Sequence, residues 1–284
     1  MTNLDFITAN IERVETPPVV LLGLPWDGSS SHLSGAAEAP EQIRRTLLSS
    51  AGNLFSESGV DLCGASRLQI LGDLELPPDQ PPFAAIEQCS EALLEDGVYP
   101  IFLGGDHSVT QATVSPFETR YPNLTLIHFD AHPDLYETFD GDPLSHACQM
   151  TRILERGALH RLVQVGIRAS THSQDELAKK YDVERIPTPS YNSADWAELQ
   201  LEGPIYVSFD LDVLDPAFVP GVSHPEHGGL STRTAITMIQ KLPSSIVGAD
   251  IVELNPCRDL NGLTAGVAAK IVKELASRMI ESTT

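Results

Sequence analysis

Positive charge is scarce in this chain: 18 Lys and Arg stand against 39 Asp and Glu over 284 residues, a formal net charge of −21. Phosphate backbones are bound by clustered cations, so a nucleic-acid partner is disfavoured. Metals and small cations suit the surplus of carboxylates, most of which serves solubility. Cysteine is sparse too. Cys63, Cys89, Cys148 and Cys257 form neither a CxxC pair nor a disulfide-dense pattern and read as reduced core thiols. No stretch approaches the roughly 18 apolar residues that span a bilayer. The N-terminus MTNLDFITANIERVETPP has neither the basic start nor the apolar run of an export signal, so a cytoplasmic protein with no membrane partner is expected.

Hydrophobic residues at 42% and charged residues at 20% are ordinary for a globular protein. Short apolar runs recur: VVLLGLP, RLQILGD, YPIFLGGD, LTLIHFD, RLVQVGIR, PIYVSFD and SIVGADIVELNP. Such runs suit strands buried on both faces of a parallel sheet. APEQIRRTLLSS, FAAIEQCSEALLEDG, TRTAITMIQKL and TAGVAAKIVKELASRM carry helical periodicity. Alternating strands and helices predict an α/β fold with helices on both faces. Residues 27–38, 134–145, 185–200 and 212–230 are the most loop-like. No repeat or low-complexity linker divides the chain, so residues 1–284 are expected to form one domain.

Three apolar runs end in ligand-type residues, which an open α/β sheet places in its crevice at the carboxyl ends of the strands. YPIFLGGDHS delivers Asp106 and His107, LTLIHFDAHPD delivers Asp130, His132 and Asp134, and PIYVSFDLDVLD delivers Asp210 and Asp212. In extended chain, residues at i, i+2 and i+4 face one side, so these groups are expected to converge. Four aspartates so close repel one another unless cations sit among them, and two divalent ions balance them in formal charge. Oxygen donors with two imidazoles and no thiolate favour Mn2+, with Fe, Co, Ni or Zn as lesser candidates. A pair of divalent ions can acidify a shared water and supply a nucleophile at neutral pH. A lone Asp at a strand end is more often a cap or turn residue. Asp106 is read as a cap and left out of the ligand set.

The same residues carry a family resemblance. GGDHS (104–108), FDAHPD (129–134), SHA (145–147), SFDLDVLDPAFVPG (208–221) and GADIVELNP (248–256) stand in the order found in ureohydrolases, the family of arginases and agmatinases. The resemblance implies a three-layer α/β/α fold with a central, mainly parallel eight-stranded sheet. It also implies two manganese ions on His107, Asp130, His132, Asp134, Asp210 and Asp212, and a homo-oligomer, trimer or hexamer. His146 matches the family's proton-shuttling histidine and Glu253 the glutamate that pairs with the guanidinium. A carboxylate can grip a permanently protonated guanidinium through two parallel hydrogen bonds.

The substrate is then a small guanidino cation that releases urea. YETFDGDPL places Asp140 and Asp142 ahead of SHA, and an acidic mouth repels arginine's carboxylate while attracting agmatine's second ammonium. That favours agmatine to putrescine, a polyamine-forming step. The alternative is that Asp140 and Asp142 are turn residues around Gly141. PGVSHPEHGGLS resembles instead the form found in plant arginases, which puts Glu226, and with it His224, at the substrate mouth and keeps arginine, guanidinobutyrate and guanidine in play. A two-metal phosphoesterase is disfavoured, since no Lys or Arg neighbours the acidic motifs. A one-ion zinc deacetylase needs fewer carboxylates, and His146 and Glu253 argue against a pseudoenzyme.

Overall fold

The computed structural model describes residues 3–281 apart from 13, 15, 16, 65, 66, 77–80, 187–199, 202 and 244. Eight strands form one sheet: β1 (Val19–Gly23), β2 (Leu68–Asp73), β3 (Tyr99–Leu103), β4 (Thr125–Phe129), β5 (Arg161–Val165), β6 (Glu184–Ile186), β7 (Ile205–Asp210) and β8 (Ile246–Val252). Their order is β2-β1-β3-β8-β7-β4-β5-β6, and every pairing is parallel. The seven apolar runs each supply a strand. The eighth, β6, has no such run; it is a three-residue edge strand whose last two residues fall in the stretch expected to be loop, of which 187–199 lie outside the described residues.

Alternation along the strands divides the core into two layers. Val19, Leu21, Ile101, Leu103, Ile127 and Phe129 face α2 (Ala39–Leu47), α7 (Thr232–Gln240) and α8 (Leu263–Glu281). Val20, Leu22, Phe102, Leu126 and Tyr206 face α3 (Phe83–Glu95), α4 (Thr110–Arg120) and α5 (Gln149–Glu155). This is the three-layer α/β/α arrangement. Two further helices, α1 (Leu4–Ala9) and α6 (His172–Lys180), complete the set among the described residues. Helix α4 lacks a one-sided apolar stripe because Thr110 to Val114 are buried in succession, which hides its period from the sequence. None of the helices among the described residues is long and apolar enough to cross a membrane. The cysteines divide: Cys89 and Cys148 are buried, whereas Cys63 and Cys257 are exposed on turns, so only two of the four are core thiols.

Candidate metal centre

Four adjacent strands, β3, β8, β7 and β4, end at the same sheet edge and carry all the prospective ligands. The leading chain after β3 passes through Gly104 and Gly105. A side chain at Gly105 would meet the Trp26 carbonyl at 1.8 Å, so glycine is required for this close approach. Asp106 then caps the turn His107–Val109: its carboxylate accepts from Ser108 N at 3.0 Å and from Ser29 N at 2.8 Å. Its role in the structure is that of a cap.

The aspartates do not converge through extended i, i+2, i+4 geometry as the spacing predicts. Strand β4 ends at Phe129 and the chain turns. Asp130 Oδ1 accepts from His132 N at 2.6 Å, and Asp210 Oδ1 accepts from Asp212 N at 2.7 Å. Beyond the sheet the backbone N–H groups have lost their ladder partners, and an aspartate two residues back supplies one. Asp134 goes further, with a left-handed φ of 52°, and Glu253 after β8 has φ of 67°. Non-glycine residues hold this region only when the surroundings impose it.

These turns gather all six residues. His107 Nδ1 lies 3.1 Å from Asp130 Oδ2, 3.3 Å from Asp134 Oδ2 and 3.1 Å from Asp210 Oδ2. It is buried and no hydrogen bond is assigned to it. A ring nitrogen and three carboxylate oxygens around one point form a cage that a divalent cation fits. His132 Nδ1 lies 3.0 Å from Asp212 Oδ2 and 3.5 Å from Asp130 Oδ1. Asp130 therefore spans two donor groups, with Oδ2 toward His107 and Oδ1 toward His132.

The electrostatics agree with a cation site. Burial raises Asp210 well above the carboxylate range, reinforced by the charges of Asp212 and Asp130, and burial with Asp130 raises Asp212. Burial also opposes ionisation of Asp130, yet His128, His107 and His132 hold it well below its ordinary value. His132 is pushed up to about 12, chiefly by Asp212 acting against burial. Carboxylates sharing protons in this way are the signature of a charge deficit that positive ions fill.

Several supporting residues are not apparent from the sequence. Asp250, Ser208, His128, Gln164 and Arg185 lie in one register row across β8, β7, β4, β5 and β6. Ser208 Oγ donates to Asp250 Oδ1 at 2.7 Å and lies 2.9 Å from His107 Nε2. His128 Nε2 lies 2.8 Å from Asp130 Oδ2, and Gln164 Nε2 lies 3.1 Å from His128 Nδ1. Gln149 Nε2 donates to Asp134 Oδ2 at 2.6 Å. His128, Ser208, Gln164 and Asp250 each stand between two apolar neighbours in a strand, and Gln149 and Arg185 belong to no motif. The available signal was position: His128 and Ser208 each precede an Asp ligand by two.

A cavity of about 190 Å³ opens onto His107, His132, Asp134, Asp210 and Asp212. A larger groove of about 700 Å³ between α3 and α4 carries none of the convergent histidines and aspartates. Glu253 Oε1 accepts from His107 N at 2.8 Å and pairs with His146 Nδ1 at 2.7 Å, while Oε2 is buried with no partner. Burial opposes both charges, yet Glu253 lifts His146 to about 9 and His146 holds Glu253 below its ordinary range. His146 Nε2 lies 2.8 Å from Ser31 Oγ. Ser31, Tyr136, Phe139, Ala169, Gln174 and His224 form the outer wall.

Asp142 and Glu226 do not line this cavity. Phe139 and Asp142 pair across Asp140 and Gly141, which have φ of 51° and 83°, a two-residue turn with left-handed central residues. The Asp142 carboxylate accepts from Leu144 N at 2.8 Å within that loop. Glu226 contributes its carbonyl, which accepts from Arg168 Nη2 at 2.6 Å. The turn chemistry of Asp-Gly therefore governs the loop expected to form an acidic mouth, and of the SHPEHGG segment it is His224 that reaches the cavity.

Known proteins share both the sequence pattern and the fold. Residues 17–277 match the model of the arginase family. Arginase 1 of Arabidopsis thaliana, a mitochondrial protein, is 39% identical over 91% of this chain and 80% of its own length. The agmatinase of Bacillus subtilis is 31% identical over 92% of this chain and 91% of its own. The structure of arginase from Medicago truncatula superposes with a TM-score of 0.87 at 37% identity, covering 98% of this chain and 92% of that one. With a binuclear cluster of His and Asp at the sheet edge and a family match along nearly its whole length, the chain belongs to the arginase family, the metal-dependent ureohydrolases that cleave a guanidino C–N bond.

Proposed function

We propose that this chain hydrolyses L-arginine to L-ornithine and urea, with Glu253 gripping the guanidinium and His146 delivering the proton. The observation that carries the reading is the divided carboxylate of Glu253. Oε1 is engaged by His107 N and His146, and Oε2, buried and unpartnered, awaits a donor. A guanidinium supplies one, and an unmet buried acceptor gains most from a charged donor. Two divalent ions on His107, Asp130, His132, Asp134, Asp210 and Asp212 would acidify a water between them and supply the nucleophile. Mn2+ suits this oxygen-rich set.

Glu253 fixes the guanidinium carbon in the path of attack; the acidified water gives one proton to solvent, and addition of the remaining hydroxide to the cationic carbon gives a neutral tetrahedral intermediate. His146 keeps Nδ1–H on Glu253, and Nε2, which accepts from Ser31 N at 3.2 Å, is the atom that takes up and passes on the mobile proton. Transfer of that proton to the departing amine lets the C–N bond break, releasing urea and the shortened amine.

Arginine is preferred to agmatine on the character of the outer wall. The six residues there include no carboxylate, and neither Asp142 nor Glu226 lines the cavity. The first turn of α6, capped by Thr171, brings Gln174 to the cavity, and the N-terminal end of a helix favours a carboxylate. The greater identity to the plant arginase points the same way. Urea release with Mn2+ from arginine, agmatine, 4-guanidinobutyrate and guanidine tests this. Arginine is expected to show the highest kcat/KM; a higher value for agmatine overturns the substrate, and no urea from any of the four overturns the function. The same reading carries a homo-oligomer, to be measured by light scattering.

A further inference from the structure

We infer that His146, His224 and Glu253 form a third cation site of zinc type beside the metal pair, and that Zn2+ seated there competes with the substrate for Glu253. The competition rests on the guanidinium-binding reading above, whereas the site itself does not. One donor atom from each of the three residues lies within 4.8 Å of the others. Two imidazoles and a carboxylate make up a donor set that tetrahedral zinc takes while keeping a fourth position open. The neighbouring pair is richer in oxygen and suits harder ions.

Two buried atoms of these residues have no hydrogen-bond partner. Glu253 is 4% exposed and its Oε2 is buried without a hydrogen bond, as is Nδ1 of His224. A buried acceptor left unpaired is costly, and a cation held among the three residues would relieve it. His224 is held in place by its own segment. Val222 bridges Leu254, Ser223 Oγ donates to Leu33 O at 3.0 Å, and Asn255 Nδ2 donates to Ser223 Oγ at 3.0 Å. These contacts tie the SHPEHGG segment to the residues flanking Glu253, so the third ligand is built in. The ring of His224 lies 5.0 Å from that of His146.

Protein loaded with two Mn2+ per chain is titrated with Zn2+ by calorimetry, with metal content measured after gel filtration and the Mn2+ pair followed by electron paramagnetic resonance. One Zn2+ per chain is expected on top of two retained Mn2+, with KM for the guanidino substrate raised and kcat unchanged. His224→Ala and His224→Gln are expected to keep two Mn2+ and to lose Zn2+ affinity by at least about tenfold, the lower end of what removing a metal's supporting group costs. Release of Mn2+ into the filtrate, absence of a third ion, or equal Zn2+ uptake by both variants overturns the site. Because metal content is read without substrate, loss of the functional reading and loss of this site are separate outcomes.

Discussion

Ser208 and His128 stand opposite one another in the register of β7 and β4, and each braces a different prospective ligand: Ser208 lies 2.9 Å from His107 Nε2, His128 2.8 Å from Asp130 Oδ2. Outer partners of this kind fix ring orientation and carboxylate position, and their loss typically weakens metal affinity by about 10–100-fold. Ser208→Ala and Asp250→Asn are therefore expected to lose metal to a competing chelator at lower concentration than the parent protein. Unchanged metal retention in both would remove the row from the centre's support.

Under the proposed mechanism Asp130 and His146 divide the two halves of the reaction. Asp130→Ala removes an oxygen from both donor groups, so bound metal and urea release should fall together. His146→Ala should keep two ions per chain while kcat drops by about 10²–10⁴-fold, the usual contribution of a positioned acid. Metal analysis beside single-turnover urea release separates them; an unaffected rate in His146→Ala would discharge it from proton delivery.

Chelation should destabilise the protein. Without cations the buried aspartates repel one another, and ions that bind only the folded state stabilise it by mass action, about 2.7 kcal/mol at a hundredfold excess over Kd. The midpoint of thermal unfolding is expected to rise with Mn2+ concentration. A midpoint indifferent to Mn2+ and to chelator would contradict the cage around His107.

A carboxylate far from the centre sets a pH dependence of its own. Hydrogen bonds from Arg233, acting against partial burial, and then from Gln240 and Lys270, hold Glu57 at about 2 against an ordinary 4.5. The lowered value means that its contribution is complete above pH 4.5 and is lost as pH falls towards 2. Glu57→Gln should flatten the stability curve in that window and leave its shape unchanged above. The side chain is about a third exposed, so solvent screening keeps the effect small.

Much of this architecture was legible in the chain. Buried parallel strands announce themselves as apolar runs, and GGDHS, FDAHPD and FDLD mark the strand ends where ligands gather. What stayed hidden depended on register. His128, Ser208, Gln164 and Asp250 each stand between two apolar neighbours in four separate strands, and only the pairing of those strands aligns them. Helix α4 was hidden because it is buried round most of its circumference. Asp142 misled because a carboxylate near a site motif and a carboxylate in an Asp-Gly turn look alike until the backbone shows which N–H it accepts.

The left-handed backbone of Glu253 sets backbone strain against side-chain bonding at a single position. Holding a residue with a side chain at φ 67° costs about 1–3 kcal/mol, which glycine would relieve. Glu253→Gly would also strip His107 N and His146 Nδ1 of the buried oxygen they share, a loss of similar size. The strained conformation therefore persists because the carboxylate it presents holds two neighbours in place, and a screen for thermostable variants has little to gain there.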